Sequence, residues 1–177
     1  GLNHVKLEIT PEGDHYDPRD QTVRLSESNH SGHSLTAITI AAHEVGHAIQ
    51  DDTGYQPMVL RSKLVGKTQS AERLGAMILM ASPVIAILSR RPLPALILFL
   101  AGLISMGAPV AVHLATLPVE FDASFNRALP ILKAGHHLKE SDQQAAHQIL
   151  KAAAWTYVAG SLGSLLNFWK WLKVIRR

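Results

Sequence analysis

The sequence predicts a mainly α, membrane-embedded protein with a membrane helical hairpin, a third C-terminal apolar helix and a small N-terminal β element. Three observations predict it: long runs without a charge, basic residues gathered at the ends of those runs, and a period-two apolar pattern confined to the N-terminal stretch. The 177 residues are 47% hydrophobic and only 18% charged, which separates the chain from disordered or polyelectrolyte sequences. The absence of cysteine excludes a disulfide scaffold, a thiol nucleophile and any Cys-ligated zinc or iron–sulfur site.

In the opening stretch Val5, Leu7 and Ile9, and then Val23 and Leu25, alternate with polar residues on either side of the turn residues Pro11–Asp14. Two short strands in a small sheet are expected there. Ser34 is placed to cap a helix through SLTAITIAAHEVGHAIQDD, which Thr53–Gly54 ends. Its expected apolar face is Ile38, Ala42, Val45 and Ile49.

Three charge-free runs follow: sixteen residues between Arg73 and Arg90, twenty-eight between Arg91 and Glu120, and eighteen between Lys151 and Lys170. A spanning helix needs about 20 apolar residues. The second run passes easily. The first is short, and Arg73 and Arg90 would extend their charged ends back to the interface. The third is polar in its middle, at Thr156, Tyr157, Ser161 and Ser164. A turn around Arg90, Arg91, Pro92 and Pro94 joins the first two runs into the hairpin. Small residues at Ala152, Ala159 and Gly163, with Gly160 and Ser164 beside them, suit packing of the third helix against that hairpin.

The net charge of +3 is accounted for by Arg90, Arg91, Lys170, Lys173, Arg176 and Arg177 at run ends, with Trp169 and Trp171 among them. That placement fits phospholipid headgroups, so a lipid bilayer is the expected partner and nucleic acid is not. The boundaries expected are 1–73, 74–119, 120–151 and 152–177, within one integrated domain. The chain opens without Met and without a signal-like stretch, so trimming of an N-terminal segment, with room in it for a further span, is expected.

His43 and His47 fall four residues apart on one helix, stacked one turn above the other, a spacing that lets two imidazoles share one Zn²⁺. Glu44 lies about 100° round the helix from His43, off the line joining the two ligands, where it can reach a metal-activated water. This is the H-E-x-x-H pattern, expected here by chance about 0.02 times. Its bland alternative is a partly exposed helix with solvated or core-satisfied histidines. A catalytic zinc usually takes a third protein ligand. On spacing alone that place is open between Glu120, just after the long apolar run, and His113, His136, His137 and His147. Thr116 could cap a new helical turn with Pro118 in its first turn, or Pro118 could kink a continuing helix.

Six segments carry a resemblance over nearly the whole chain: DHYDP (14–18), VRLS (23–26), AAHEVGHAIQ (41–50), LRS (60–62), TLPVEFDAS (116–124) and AAAWTYVAG (152–160). In this order they resemble the YugP-like neutral zinc metallopeptidases, a family of bacterial membrane proteins. The arrangement is also similar to HtpX-type membrane peptidases, where a membrane hairpin separates the two-histidine helix from a glutamate ligand in an E-x-x-A-D setting. The resemblance implies a helical zincin-like peptidase with one catalytic Zn²⁺. His43, His47 and Glu120 are then its ligands and Glu44 its general base. It implies polypeptide substrates at the membrane and a multi-pass place in the bacterial plasma membrane, with the site towards the cytoplasm. This sequence departs at Ser124, where the HtpX-type pattern has an aspartate that orients a ligating histidine. A serine hydroxyl would bond more weakly, and Asp122 is expected to face away.

Other residues carry weaker signals. His113 reads as a packing histidine before it reads as a site group. Tyr157 could donate to an oxyanion, and the Gln21–Ser26 strand could pair with an extended substrate or be a structural sheet edge. Two rival readings of the whole are a non-catalytic zinc-binding membrane scaffold and a soluble helical metalloprotein.

Overall fold

A computed structural model describes residues 1–106, 108–135 and 138–175, without the side chains of 69, 72, 92, 103, 106, 161 and 164–175. The readings of Trp169, Lys170, Trp171 and Lys173 as interfacial groups, of Arg176 and Arg177 at the tail, and of His136 and His137 as ligands lie outside the described residues. The fold is mainly helical with one small sheet. The chain forms two compact units, Gly1–Val59 with Thr116–Val158, and Leu60–Ala115 with Ala159–Arg177.

The first unit opens on three strands, β1 (Lys6–Ile9), β2 (His15–Asp17) and β3 (Thr22–Leu25), in the order β1-β3-β2. The first and last were legible from their alternation; β2 was not, because three half-buried residues show no period. β3 pairs parallel with β1 and antiparallel with β2. Both its edges are therefore occupied, and the expectation that Gln21–Ser26 pairs with a substrate or forms a sheet edge is corrected: it is the central strand. The alternation of β1 does not bury either of its faces. Leu7 and Ile9 remain 57% and 50% exposed, because the helix behind the sheet packs on β2 and β3, where Val23 and Leu25 are buried against Ala48. Arg24 and Glu8 are partners in register on β3 and β1, and their side chains meet at 3.1 Å.

A short helix α1 (Glu27–His30) leads to α2 (Leu35–Asp52). The Ser34 side chain accepts from the Ala37 N–H at 3.1 Å, as the capping pattern predicts. At the other end Gly54 takes φ +61°, and the N–H groups of Gly54 and Tyr55 return to the carbonyls of Asp51 and Gln50, a Schellman closure. Two segments of the resemblance hold this helix in place. Asp14 accepts from the backbone and hydroxyl of Ser26 and from Asn29, and the Tyr16 hydroxyl donates to Asp51 at 2.8 Å. The predicted apolar face of α2 needs correction. Ala42 is buried, but Ile38, Val45 and Ile49 are only half-buried, while the face carrying His43, Glu44 and His47 is fully buried.

That buried face meets a single continuous helical path. Helix α5 (Ala108–Phe121) continues past Thr116 with Pro118 inside it, so no new helix starts at Thr116. It continues as a π-helical stretch over Asp122–Ala128 and then as α6 (Leu129–Ala134). A one-turn 3₁₀ segment (Glu140–Asp142) precedes α7 (Gln143–Ile175). Ala42, Ala128, Leu132, Ala146 and Leu150 form the core between these helices. Alanines dominate it, so the backbones lie close.

In the second unit, α3 (Gln56–Ser89) and α4 (Pro92–Met106) form the expected hairpin, turning at Arg90 with φ +50°. They touch through glycines: a Cβ on Gly75 would lie 2.5 Å from Ser105 Cβ, and one on Gly102 2.5 Å from Leu79 Cγ. Within the twenty-eight-residue run, the described residues are helical throughout α4 and again in α5. Among the described residues, only α3 is long and apolar enough to cross a membrane. Along α7, the small-residue face was misplaced: Ala152 and Ala159 are exposed and Gly163 faces open space, whereas Gly160 lies beside the His113 ring.

Because the site helix begins at a single capping bond, Ser34→Ala is expected to lower stability by about 1 kcal/mol and Ser34→Asp to restore it, read as shifts in the thermal unfolding midpoint.

Candidate metal centre

Two elements far apart in sequence supply the centre. His43 and His47 project from α2, and Glu120 from the end of α5. What lets the two backbones meet is Gly46, between the histidines. A Cβ there would stand 2.7 Å from the Ala123 carbonyl oxygen, so any side chain would push the π-helical stretch away. Wide π turns inside α-helices frequently mark functional sites, and this one begins two residues after Glu120.

The three side chains converge. One ligand atom from each lies within 4.8 Å of the others, and all three residues are buried. Glu120 Oε2 is 3.2 Å from His43 Nε2 and 3.4 Å from His47 Nε2. Charge-assisted N–H···O⁻ bonds favour about 2.7–2.9 Å. Two donors each about 2.0–2.1 Å from a tetrahedral ion are about 3.3 Å apart, which is the observed spacing. The outer ring nitrogens point the same way. His47 Nδ1 lies 3.0 Å from Gln50 Oε1, an oxygen that only accepts, so Nδ1 carries the hydrogen and the Nε2 lone pair is turned inward. His43 Nδ1 lies 3.1 Å from Ser124 Oγ, which can accept likewise. The donor set of two imidazole nitrogens and one carboxylate thus fits Zn²⁺.

Electrostatics separate the two glutamates. Burial drives the Glu120 carboxyl upwards, but the imidazoles of His43 and His47 beside it outweigh burial and hold it at about 2. Burial also drives Glu44 upwards; there the histidines only partly offset it, and Glu120 adds to the rise, leaving it above the ordinary range. Burial alone would depress His47, yet the carboxylates of Glu120 and Glu44 beside it raise it.

Of the other candidates, His147 packs its ring on Phe125 at 5.3 Å, and His113 belongs to the second unit; neither joins the cluster. Ser124 reaches His43 as the resemblance suggested a residue there should. Asp122 does not touch a histidine, but it does not face away: its Oδ2 accepts from Gln50 Nε2 at 2.8 Å and from Arg127 Nε at 2.8 Å. Sequence reasoning missed Gln50. The available signal was its place three residues after His47, on the same helical face.

Since Gly46 faces backbone rather than a movable side chain, Gly46→Ala is expected to destabilise the protein by about 1–3 kcal/mol and to lower its zinc stoichiometry, whereas Gly66→Ala, with open space around it, does neither. Thermal unfolding together with metal analysis checks both.

Comparison with known proteins agrees with this geometry. A family described as "Putative neutral zinc metallopeptidase" matches residues 1–176. The chain is 35% identical over 161 residues to "Putative membrane protease YugP" of Bacillus subtilis (strain 168), an alignment covering 91% of this chain and 68% of that protein. No solved structure matches. With the match running over almost its whole length, the chain belongs to this family of neutral zinc metallopeptidases.

Proposed function

We propose that the protein is a membrane-bound zinc metallopeptidase that hydrolyses peptide bonds with a metal-activated water. His43, His47 and Glu120 are the ligands and Glu44 the general base. The observation that carries this is the buried convergence of two imidazole Nε2 atoms on one carboxylate, with each Nδ1 engaged on its far side. When bound, zinc supplies Lewis acidity, lowering the pKa of a water towards about 7 and polarising a carbonyl. The protein does the rest. Glu44, buried beside the cluster and raised above its ordinary range, accepts the proton of the attacking water and returns it to the leaving amine nitrogen. A structural zinc site needs no such base. Its presence beside a three-ligand set favours an open catalytic site over the scaffold reading.

Bilayer insertion is supported by what the second unit exposes. The most apolar window of α3 is only 12% buried, unlike the core helix of a soluble protein. Met80, Ile87, Leu88, Leu93 and Ile104 are each more than 60% exposed. Hydrocarbon is the solvent that such side chains suit. On this reading the hairpin sits in the bacterial plasma membrane as part of a multi-pass arrangement. The substrates are polypeptides at or near that membrane. The resemblance to HtpX-type peptidases supports a site on the cytoplasmic side.

Two measurements test the proposal. Glu44→Ala is expected to keep stoichiometric zinc while cleavage of an unfolded polypeptide falls at least about 10²-fold, and Glu120→Ala to lose the metal itself. Zinc bound by the unmodified protein with no turnover of any unfolded substrate would point to the scaffold instead. For the bilayer, the full chain is expected to stay with phospholipid vesicles after alkaline carbonate extraction; release into the supernatant would count against insertion.

A further inference from the structure

We infer that Gln50 is a positioning residue whose single carboxamide fixes both halves of the metal centre, orienting the His47 ring through Oε1 and anchoring the Glu120 backbone through Nε2. This rests on the metallopeptidase reading and deepens it.

Gln50 is completely buried, and every polar atom of its side chain is engaged. Nε2 donates to the Val119 carbonyl and to Asp122 Oδ2, each at 2.8 Å. Neither partner can donate a hydrogen, so the nitrogen must face them and the oxygen must face the imidazole. Oε1 in turn accepts from His47 Nδ1. The orientation of the amide is thus dictated from behind, and it dictates the ring: His47 can present only Nε2 to Glu120. Val119 immediately precedes Glu120, so the same side chain that aims one ligand grips the peptide unit next to another. Asp122 is itself held from the far side, by Arg127 Nε at 2.8 Å and Asn126 Nδ2 at 2.9 Å. Arg127 lies over the Tyr55 ring, just beyond the end of α2. The line Arg127–Asp122–Gln50–His47 therefore runs from the surface to the ligand, each hydrogen on it having one acceptor.

A buried glutamine could instead be packing filler. The two roles part company in variants that keep volume but change polarity. Gln50→Met preserves the shape and loses all three hydrogen bonds. It is expected to weaken zinc binding about 10–100-fold in a chelator competition. In ¹⁵N-histidine NMR the hydrogen-bonded Nδ1–H signal of His47, assigned by its loss in His47→Asn, should move upfield in this variant. Gln50→Glu keeps an acceptor for His47 but sets an oxygen against the Val119 carbonyl and the Asp122 carboxylate. It should lose affinity too, and combining it with Asp122→Asn, which puts a donor opposite the new oxygen, should restore at least part of the loss. This pair decides the matter if Gln50→Met fails to fold.

Unchanged zinc affinity and an unchanged Nδ1–H signal in Gln50→Met would overturn the inference, as would a double variant no better than Gln50→Glu alone. The Nδ1–H signal is also recorded without metal, since Oε1 demands that hydrogen whatever occupies the centre. Its absence from the unmodified protein overturns the inference. Its presence in a protein that binds no zinc sinks the metallopeptidase reading while leaving the link between Gln50 and His47 in place.

Discussion

The structure of the first unit depends on a close approach of two backbones, where Gly46 of α2 rests on the Ala123 carbonyl of the π-helical stretch. Everything chemical is arranged around that contact. Residues three before and one after Gly46 are the two imidazoles; residues three before and one after Ala123 are Glu120 and Ser124. At ordinary helix separations of 8–10 Å these short side chains would not close on one another. The buried alanines of these two elements, Ala42, Ala123 and Ala128, serve the same purpose: each leaves room for backbone where a larger side chain would hold the helices apart.

Bringing helices this close buries charge, and the arrangement handles that cost unequally. A carboxylate removed from water loses several kcal/mol of hydration unless partners replace it. Glu120, with no exposure at all, faces two imidazoles and is held acidic. Glu44 is nearly as buried, but desolvation dominates there and its carboxyl is held less acidic than usual. Two carboxylates of the same kind are thereby pushed in opposite directions, and pairs split this way mark division of labour at an active site. The one held charged suits a ligand; the one that takes a proton readily suits a base.

How much of this was legible depended on distance along the chain. The cap at Ser34, the closure at Gly54 and the pairing of His43 with His47 are set within a few residues, and the sequence displayed them plainly. The face of α2 was misread because apolar count suggested Ile38, Val45 and Ile49 should turn inward, whereas the polar cluster holds the interior and the larger residues cover its flanks. Alternation located β1 and β3, but it does not show whether a helix lies behind either face of a strand. Gln50 could be suspected from its place beside His47, but not its full role, because the acceptors that fix its nitrogen lie about seventy residues further on.

The choice of partners behind the imidazoles has a consequence for the metal they would hold. A carboxylate behind a ligating histidine shares its hydrogen strongly and makes the ring a better electron donor. Here both rings are backed by neutral groups, the Ser124 hydroxyl and the Gln50 carboxamide, and the nearest carboxylate, Asp122, acts only through that carboxamide and is itself paired with Arg127. Glu120 would then be the one anionic ligand. An ion bound so keeps more of its positive charge than one backed by two carboxylates, and acts more strongly on a water or a carbonyl while being held less tightly. Replacing the aspartate of the related pattern by Ser124 is therefore not a mere weakening of the site. On the proposed reading it would exchange some affinity for Lewis acidity, with Gly46 and Gln50 holding the ligand-bearing elements together.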